Sequence, residues 1–178
     1  MRIIAGAFKG RTLKTPDWEG LRPTSDRLRE TIFNVLAPHI DGARFLDAYA
    51  GTGAVGIEAL SRGAAHVTFV EQDRRAQRLI ETNLERCRIQ NRYAIIRVGF
   101  AVAARQLSEP FDLLFLDPPY GADALQEALG IAAPLVGPAG LLVIEHARRD
   151  DSPESSGTIA RIRKLESGDS ALSFYRHE

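Results

Sequence analysis

An apolar run at residues 111–116, Phe-Asp-Leu-Leu-Phe-Leu, ends in Asp117-Pro118-Pro119-Tyr120. This tetrapeptide brings together a carboxylate, a carbonyl with no N–H beside it, and an aromatic ring. Two successive prolines have fixed φ and no N–H, so they cannot continue a strand ladder. The run therefore reads as a buried strand of a parallel sheet that stops at Asp117. Ligands of open α/β sheets bind at such carboxyl ends. The arrangement suits a flat nucleophile with an NH2 group, such as the exocyclic amine of a nucleobase. Asp117 and the Pro118 carbonyl can accept its two hydrogens while Tyr120 stacks on the ring. The plain alternative is a Pro-Pro turn with a half-exposed Tyr.

A second pattern lies upstream. Gly51, Gly53 and Gly56 satisfy G-x-G-x-x-G, and Glu71 follows 20 residues after Gly51. This is the dinucleotide fingerprint, with an acid for ribose hydroxyls. Asp47 argues for a different cofactor. A carboxylate four residues before the first glycine repels a pyrophosphate and attracts an ammonium group. S-adenosyl-L-methionine offers an ammonium and a ribose and carries no phosphate. The competing reading is a tight strand–helix turn with Asp47 as a cap, which leaves the spacing to Glu71 unexplained.

The elements that must position these groups follow from periodicity. Residues 2–5 and 11–14 form a candidate hairpin across Gly6 and Gly10. After a loop marked by Pro16, Gly20 and Pro23, Thr24 or Ser25 can cap a helix to about Leu36. From Arg44 onward strands and helices alternate, the signature of a parallel sheet. The expected strands are 45–48, 66–71, 94–98, a fourth leading to Asp117, and 141–145. The expected helices are 55–62, one opened by Asp73, 102–107 and 123–133. Residues 150–157 read as a polar loop, and 158–165 with 171–175 as a closing antiparallel hairpin.

The bulk properties are those of a globular protein of 178 residues with zero net charge. No apolar stretch approaches the roughly 20 residues of a membrane span. The amino terminus lacks a signal-peptide core, and Cys87 is the single cysteine, so a cytoplasmic location is expected. His39, His66, His146 and His177 are scattered without ligand spacing, and no metal is expected. Charge is unevenly placed. Arg2, Lys9, Arg11 and Lys14 occur before any acid, leaving 19 of the 23 bases against all 23 acids, net −4, in the remainder. Such a basic arm suits a polyanion, or equally an edge strand guarded by charge.

The glycine loop, Glu71 and the Asp-Pro-Pro-Tyr tip together resemble a class I amino-methyltransferase. Three further segments narrow the resemblance: Arg2-Ile3-Ile4-Ala5-Gly6 with Lys9-Gly10-Arg11, residues 21–34 with Arg22-Pro23-Thr24-Ser25-Asp26-Arg27-Leu28-Arg29-Glu30, and Gly56-Ile57-Glu58-Ala59-Leu60-Ser61-Arg62-Gly63. From Arg2 to about Tyr175 the chain is similar to the RsmD-type 16S ribosomal RNA guanine-N2 methyltransferases. The resemblance implies an α/β, Rossmann-like fold with a seven-stranded, mostly parallel sheet whose last strand is antiparallel. It also implies a small amino-terminal β-hairpin (residues 1–20) forming one unit with the methyltransferase domain (21–178).

By the same resemblance Asp117, Pro118 and Tyr120 form the target-base site. Asp47, Ala48, Gly51, Gly53, Glu71, Gln72 and Thr24 hold S-adenosyl-L-methionine, and Arg2, Lys9, Arg11, Lys14, Arg22 and Arg27 meet RNA. The implied partner is ribosomal RNA within a small-subunit particle, with no membrane and no obligate protein partner. One departure stands out: Phe100 occupies the position where such enzymes place an Asp or Asn on the adenine amine, so packing on the adenine face is the expectation there. Three rivals remain: a DNA or RNA adenine-N6 methyltransferase, since the motif recognises an amine and not a base; a protein amide methyltransferase; and a non-catalytic RNA-binding module.

Overall fold

The computed structural model describes residues Met1–Glu178. Ser25 caps α1 (Asp26–Leu36) by accepting the Leu28 N–H at 3.1 Å. β1 (Arg44–Ala48), α2 (Ala54–Ser61), β2 (His66–Val70), α3 (Arg74–Arg86) and β3 (Tyr93–Ile96) follow. Then come α4 (Phe100–Ala104), β4 (Phe111–Leu116), α5 (Ala122–Ala132) and β5 (Val136–Ala147). The chain closes with β6 (Ser155–Ser156), β7 (Ile159–Ser167) and β8 (Ser170–His177).

One sheet of order β3-β2-β1-β4-β5-β8-β7-β6 contains every strand. β1 to β5 are parallel, and β8 runs antiparallel to both β5 and β7. The expected seven strands, the last antiparallel, are therefore present. The two-residue β6 adds an eighth at the edge, within the stretch read as a polar loop. The chain winds outward from β1 through β2 to β3, then returns to β4 on the other side of β1. A crevice opens at such a reversal, at the carboxyl ends of β1 and β4.

Strand side chains alternate between faces, and so does the core. Phe45, Phe69, Leu113, Phe115 and Val143 pack beneath α1, α2 and α3. Leu46, Val70, Leu114, Leu116 and Ile144 face α4 and α5. Gly56 lets α2 lie close to the sheet: a Cβ there would stand 2.3 Å from the Phe69 ring.

The amino-terminal arm is clamped to this body by buried polar groups. Glu58, fully buried on α2, accepts the N–H groups of Ile4 and Ala5 at 2.9 and 3.0 Å. Arg29 and Arg62 flank the same carboxylate at 3.4 and 2.8 Å, and Arg29 also donates to the Arg2 carbonyl. Asn83 holds Lys14 through its N–H and its carbonyl and donates to the Thr52 carbonyl at 2.9 Å. The hairpin is consequently narrower than its sequence suggests. Only Arg2 and Thr12 form a bridge, and beyond it the Ile4 and Ala5 N–H groups go to Glu58 instead of across the arm.

Candidate active site

Four acidic residues stand at the carboxyl ends of four adjacent parallel strands. Glu71 follows β2, Asp47 lies in β1, Asp117 follows β4 and Glu145 lies near the end of β5. Alternation puts all four on the α1 side of the sheet, since Phe69, Phe45, Phe115 and Val143, each two residues earlier, face that way. They are strung along the strand tips, and no three of them converge to hold a metal ion.

These acids border a cleft of about 580 Å³ that includes Glu71, Asp117, Pro118, Tyr120, Glu145 and Ser170. A second cavity of about 30 Å³ is lined by Asp47, Gly51 and Thr52 and shares Tyr49 and Asp117 with the cleft. The segment from Leu21 to Thr24, leading into α1, covers both. Arg22 is the exposed cation of this covering segment.

Burial without cationic partners dominates the electrostatics. Burial pushes the Asp47 carboxyl well above the usual carboxylate range. The Gly56 N–H, donated at 2.8 Å, opposes the rise, and the Glu71 charge adds to it. Asp117 is raised in the same way by burial, then by Glu145 and Asp47. Burial also lifts Glu145, against the pull of the Ser170 and Thr24 hydroxyls and the Arg22 charge. A cluster that resists ionisation in the free protein is prepared for a cation or for strong hydrogen-bond donors.

The glycine loop is built as its spacing requires. Gly51 and Gly53 have φ of 56° and 75°, in the left-handed region that favours glycine. Glu71 anchors the loop: its Oε2 accepts the Gly51 N–H at 2.9 Å and its Oε1 the Asp73 N–H at 2.8 Å. Each carboxylate oxygen retains a further lone pair for another donor. Asp47 does cap α2, through Gly56, and also borders the small cavity.

At the other end of the cleft Pro118 is buried, while Tyr120 is 47% exposed with its ring at the rim. The Tyr120 hydroxyl lies 3.3 Å from Ser170 Oγ, at the turn between β7 and β8.

The structure thus brings together Asp117, Pro118 and Tyr120 at one end and Asp47, Gly51 and Glu71 at the other, with Thr24 lining both cavities and its hydroxyl acting on Glu145. Ala48 and Phe100 are elsewhere, in the core on the opposite face of the sheet. Phe100 is a correction: it is 3% exposed and meets Tyr49 edge-to-face, so its ring offers no surface to a ligand. The physical reason is that α4 starts at Phe100 and rotates an apolar ring inward. Gln72 is exposed beside Gly99, outside the cleft wall. Gly53 caps α2 and sits against Ile80.

The basic residues divide into three groups. Arg22 is at the cleft. Arg2, Lys9 and Arg27 are exposed around a groove of about 400 Å³ between the arm and α1, and Lys14 is exposed on the arm. Arg11 is half-buried: its guanidinium donates to the Cys87 carbonyl and lies 4.8 Å from the Phe8 ring centre, so it also staples the arm to the end of α3.

Sequence reasoning missed Glu145, Tyr49 and Ser170. Tyr49 has a positive φ of 62°, and burial with the nearby Glu127 charge pushes its phenol up to about 12. A signal for Glu145 was present, because an acid ends an apolar strand there just as Asp117 does after β4.

Comparison with known proteins places this geometry in context. The family described as Conserved hypothetical protein 95 matches residues 1–176. The chain belongs to this family, that of the RsmD-type methyltransferases. Ribosomal RNA small subunit methyltransferase D of Escherichia coli strain K12 is 36% identical over 180 residues, covering 100% of this chain and 90% of that protein. The solved structure of yhhF from Escherichia coli superposes with a TM-score of 0.88 at 34% identity, over 100% of this chain and 98% of that one. A hypothetical protein of Thermus thermophilus gives 0.82 at 32% identity, over 99% of both chains. The Rossmann-like methyltransferase fold implied by the motifs is the fold this chain shares with both structures.

Proposed function

We propose that this protein methylates an exocyclic base amine of small-subunit ribosomal RNA, the N2 amine of a guanine, using S-adenosyl-L-methionine. One observation carries the reading: the cleft at the Asp-Pro-Pro-Tyr tip after β4 and the small cavity at the glycine loop after β1 lie side by side, sharing Leu21–Thr24, Tyr49 and Asp117 as walls. The relatives named for ribosomal RNA small subunit methylation, matched along the whole chain, support the substrate class. They do not specify the base.

The residues present fit the cofactor. S-adenosyl-L-methionine carries an ammonium and a sulfonium, and the cleft offers carboxylates whose burial is uncompensated by bases. Asp47 would meet the ammonium and Glu71 the ribose hydroxyls, with Gly51 and Thr24 closing on either side. Bound there, the group supplies a methyl on a cationic sulfur.

What the chain does is position and polarise the acceptor. Asp117 and the Pro118 carbonyl take the two amine hydrogens, favouring a pyramidal nitrogen with its lone pair toward the methyl. The same carboxylate stabilises the positive charge developing on that nitrogen. Preorganised groups of this kind each contribute roughly 10²–10³ in rate, and alignment of the reacting atoms supplies much of the remainder. Tyr120 stacks on a base drawn out of its helix or presented by a loop. The basic arm and the groove with Arg2, Lys9 and Arg27 would hold phosphates, acting in one unit with the residue 21–178 domain. The reaction belongs in the cytoplasm, where ribosomes assemble.

The test is mass spectrometry of digested ribosomal RNA from cells lacking the protein. One missing N2-methylguanine in the small-subunit RNA, restored by the wild-type chain but not by Asp117→Ala, is expected. An unchanged modification profile would overturn the reading, and a missing N6-methyladenine would move it to adenine.

A further inference from the structure

Asp117, Asp47 and Glu71 have uses in the proposed reaction; Glu145 has none. It is only 6% exposed, at the end of β5. Its Oε1 accepts a hydrogen bond from Ser170 Oγ at 3.2 Å and the Thr24 hydroxyl also acts on the carboxylate, while its Oε2 is buried without a hydrogen bond of its own. A buried carboxylate oxygen left unpaired is costly, and this one stands on the cleft wall that also carries Asp117 and Tyr120.

Strand register sets its place. Leu116 of β4 pairs with Ile144 of β5, so Asp117 and Glu145 are the next residues on neighbouring parallel strands and face the same side. Such strands lie about 4.8 Å apart. Ser170 links Glu145 to the Tyr120 hydroxyl, fixing the carboxylate beside the ring on which a base would stack.

We propose that Glu145 is a specificity-determining residue of the base site: its free Oε2 accepts the N1–H of a guanine whose N2 amine is held by Asp117. The proposal rests on the methyltransferase reading above. Among the bases that carry an exocyclic amine, guanine alone has a ring N–H beside it. Adenine and cytosine present a ring nitrogen lone pair at that place. Two adjacent carboxylates therefore match the two adjacent donors of guanine and set an acceptor against an acceptor for the other two. Sites built for a particular hydrogen bond reject analogues lacking it strongly, because their own buried groups are left unpaired.

The test uses ribosomal RNA carrying guanine or 2-aminopurine at the methylated position, introduced by ligation and presented both free and in reconstituted small subunits. 2-Aminopurine keeps the C2 amine, loses the C6 oxygen and replaces N1–H by a lone pair, so the Glu145 variants decide whether the discrimination comes from N1. The wild-type protein should favour guanine by about 10²-fold or more in kcat/KM, and binding of the two RNAs without cofactor should show the same order. Glu145→Gln keeps the shape and offers an amide N–H to that lone pair, and Glu145→Ala removes the acceptor. Both should bring the guanine to 2-aminopurine ratio within about tenfold, with unchanged affinity for S-adenosyl-L-methionine. Equal losses on both RNAs, or a wild-type protein that accepts both equally, would overturn the proposal and leave the methyltransferase reading standing. No transfer to the guanine RNA in either form would overturn both.

Discussion

Two groups of buried charges lie on the α1 side of this sheet, and they differ in how their charges are matched. At the arm junction Glu58 is flanked by Arg29 and Arg62 and saturated by backbone N–H groups. At the strand tips Asp47, Asp117 and Glu145 crowd together with one exposed arginine nearby, and burial raises all three. The first group matches its buried carboxylate with arginines and backbone N–H groups, with the Arg29 Nε alone left unpaired, and holds the arm in place. The second lacks such internal partners, and in the proposed reaction a cationic cofactor and an amine-bearing base would supply them. Buried charge that balances internally marks structure here; buried charge that does not marks the site.

The sharpest way to break this contrast is Asp117→Ala. Methyl transfer should fall by at least about 10²–10³, while calorimetric binding of S-adenosyl-L-methionine persists. Near-normal turnover would remove Asp117 from the chemistry. At the balanced cluster, Arg29→Met should cost about 3–5 kcal/mol in urea unfolding by leaving Glu58 short of a partner. Stability within experimental error of wild type would mean that the cluster is not what holds the arm.

Smaller effects sharpen the comparison further. Tyr120→Ala should weaken RNA binding by about 1–3 kcal/mol, the range for base stacking, and Tyr120→Phe should stay close to wild type. Equal losses would contradict stacking. For pH, a carboxyl whose folded pKa lies above its unfolded value stabilises the fold below the unfolded pKa. That contribution is lost as pH rises through the folded value. Asp47 is such a group, so Asp47→Asn should raise the melting temperature of the free protein at neutral pH, narrow the gain in acid, and abolish cofactor binding. A variant less stable than wild type at neutral pH would show that the Gly56 bond outweighs the cost of the charge. Smallest of all, Arg2, Lys9 and Lys14 changed together to Ala should flatten the salt dependence of RNA binding by about 0.7–0.9 per lost phosphate contact. An unchanged slope would leave the arm as a guarded edge.

Motif residues were legible because their roles are local. Gly51 and Gly53 need left-handed backbone, Glu71 sits one strand away at a fixed spacing, and Pro118 ends its own strand. Helices at 26–36 and 74–86 were equally readable from capping by Ser25 and Asp73 with an apolar stripe behind. The placements of Phe100 and Arg11 were not legible, for the opposite reason. A side chain at a helix start or on an arm takes its direction from what packs against it, here Tyr49 for one and Cys87 with Phe8 for the other.

By itself, then, the sequence determined the parallel sheet, the glycine loop and the Asp-Pro-Pro-Tyr strand end, because each is written in contiguous residues whose backbone preferences decide it. Tertiary structure alone decided that Glu145 stands beside Asp117, that Ser170 ties it to Tyr120, and that Glu58 gathers Arg29 and the arm. Those pairings follow from strand register and helix packing between segments 25 or more residues apart. No local rule of backbone or spacing encodes such long-range neighbours.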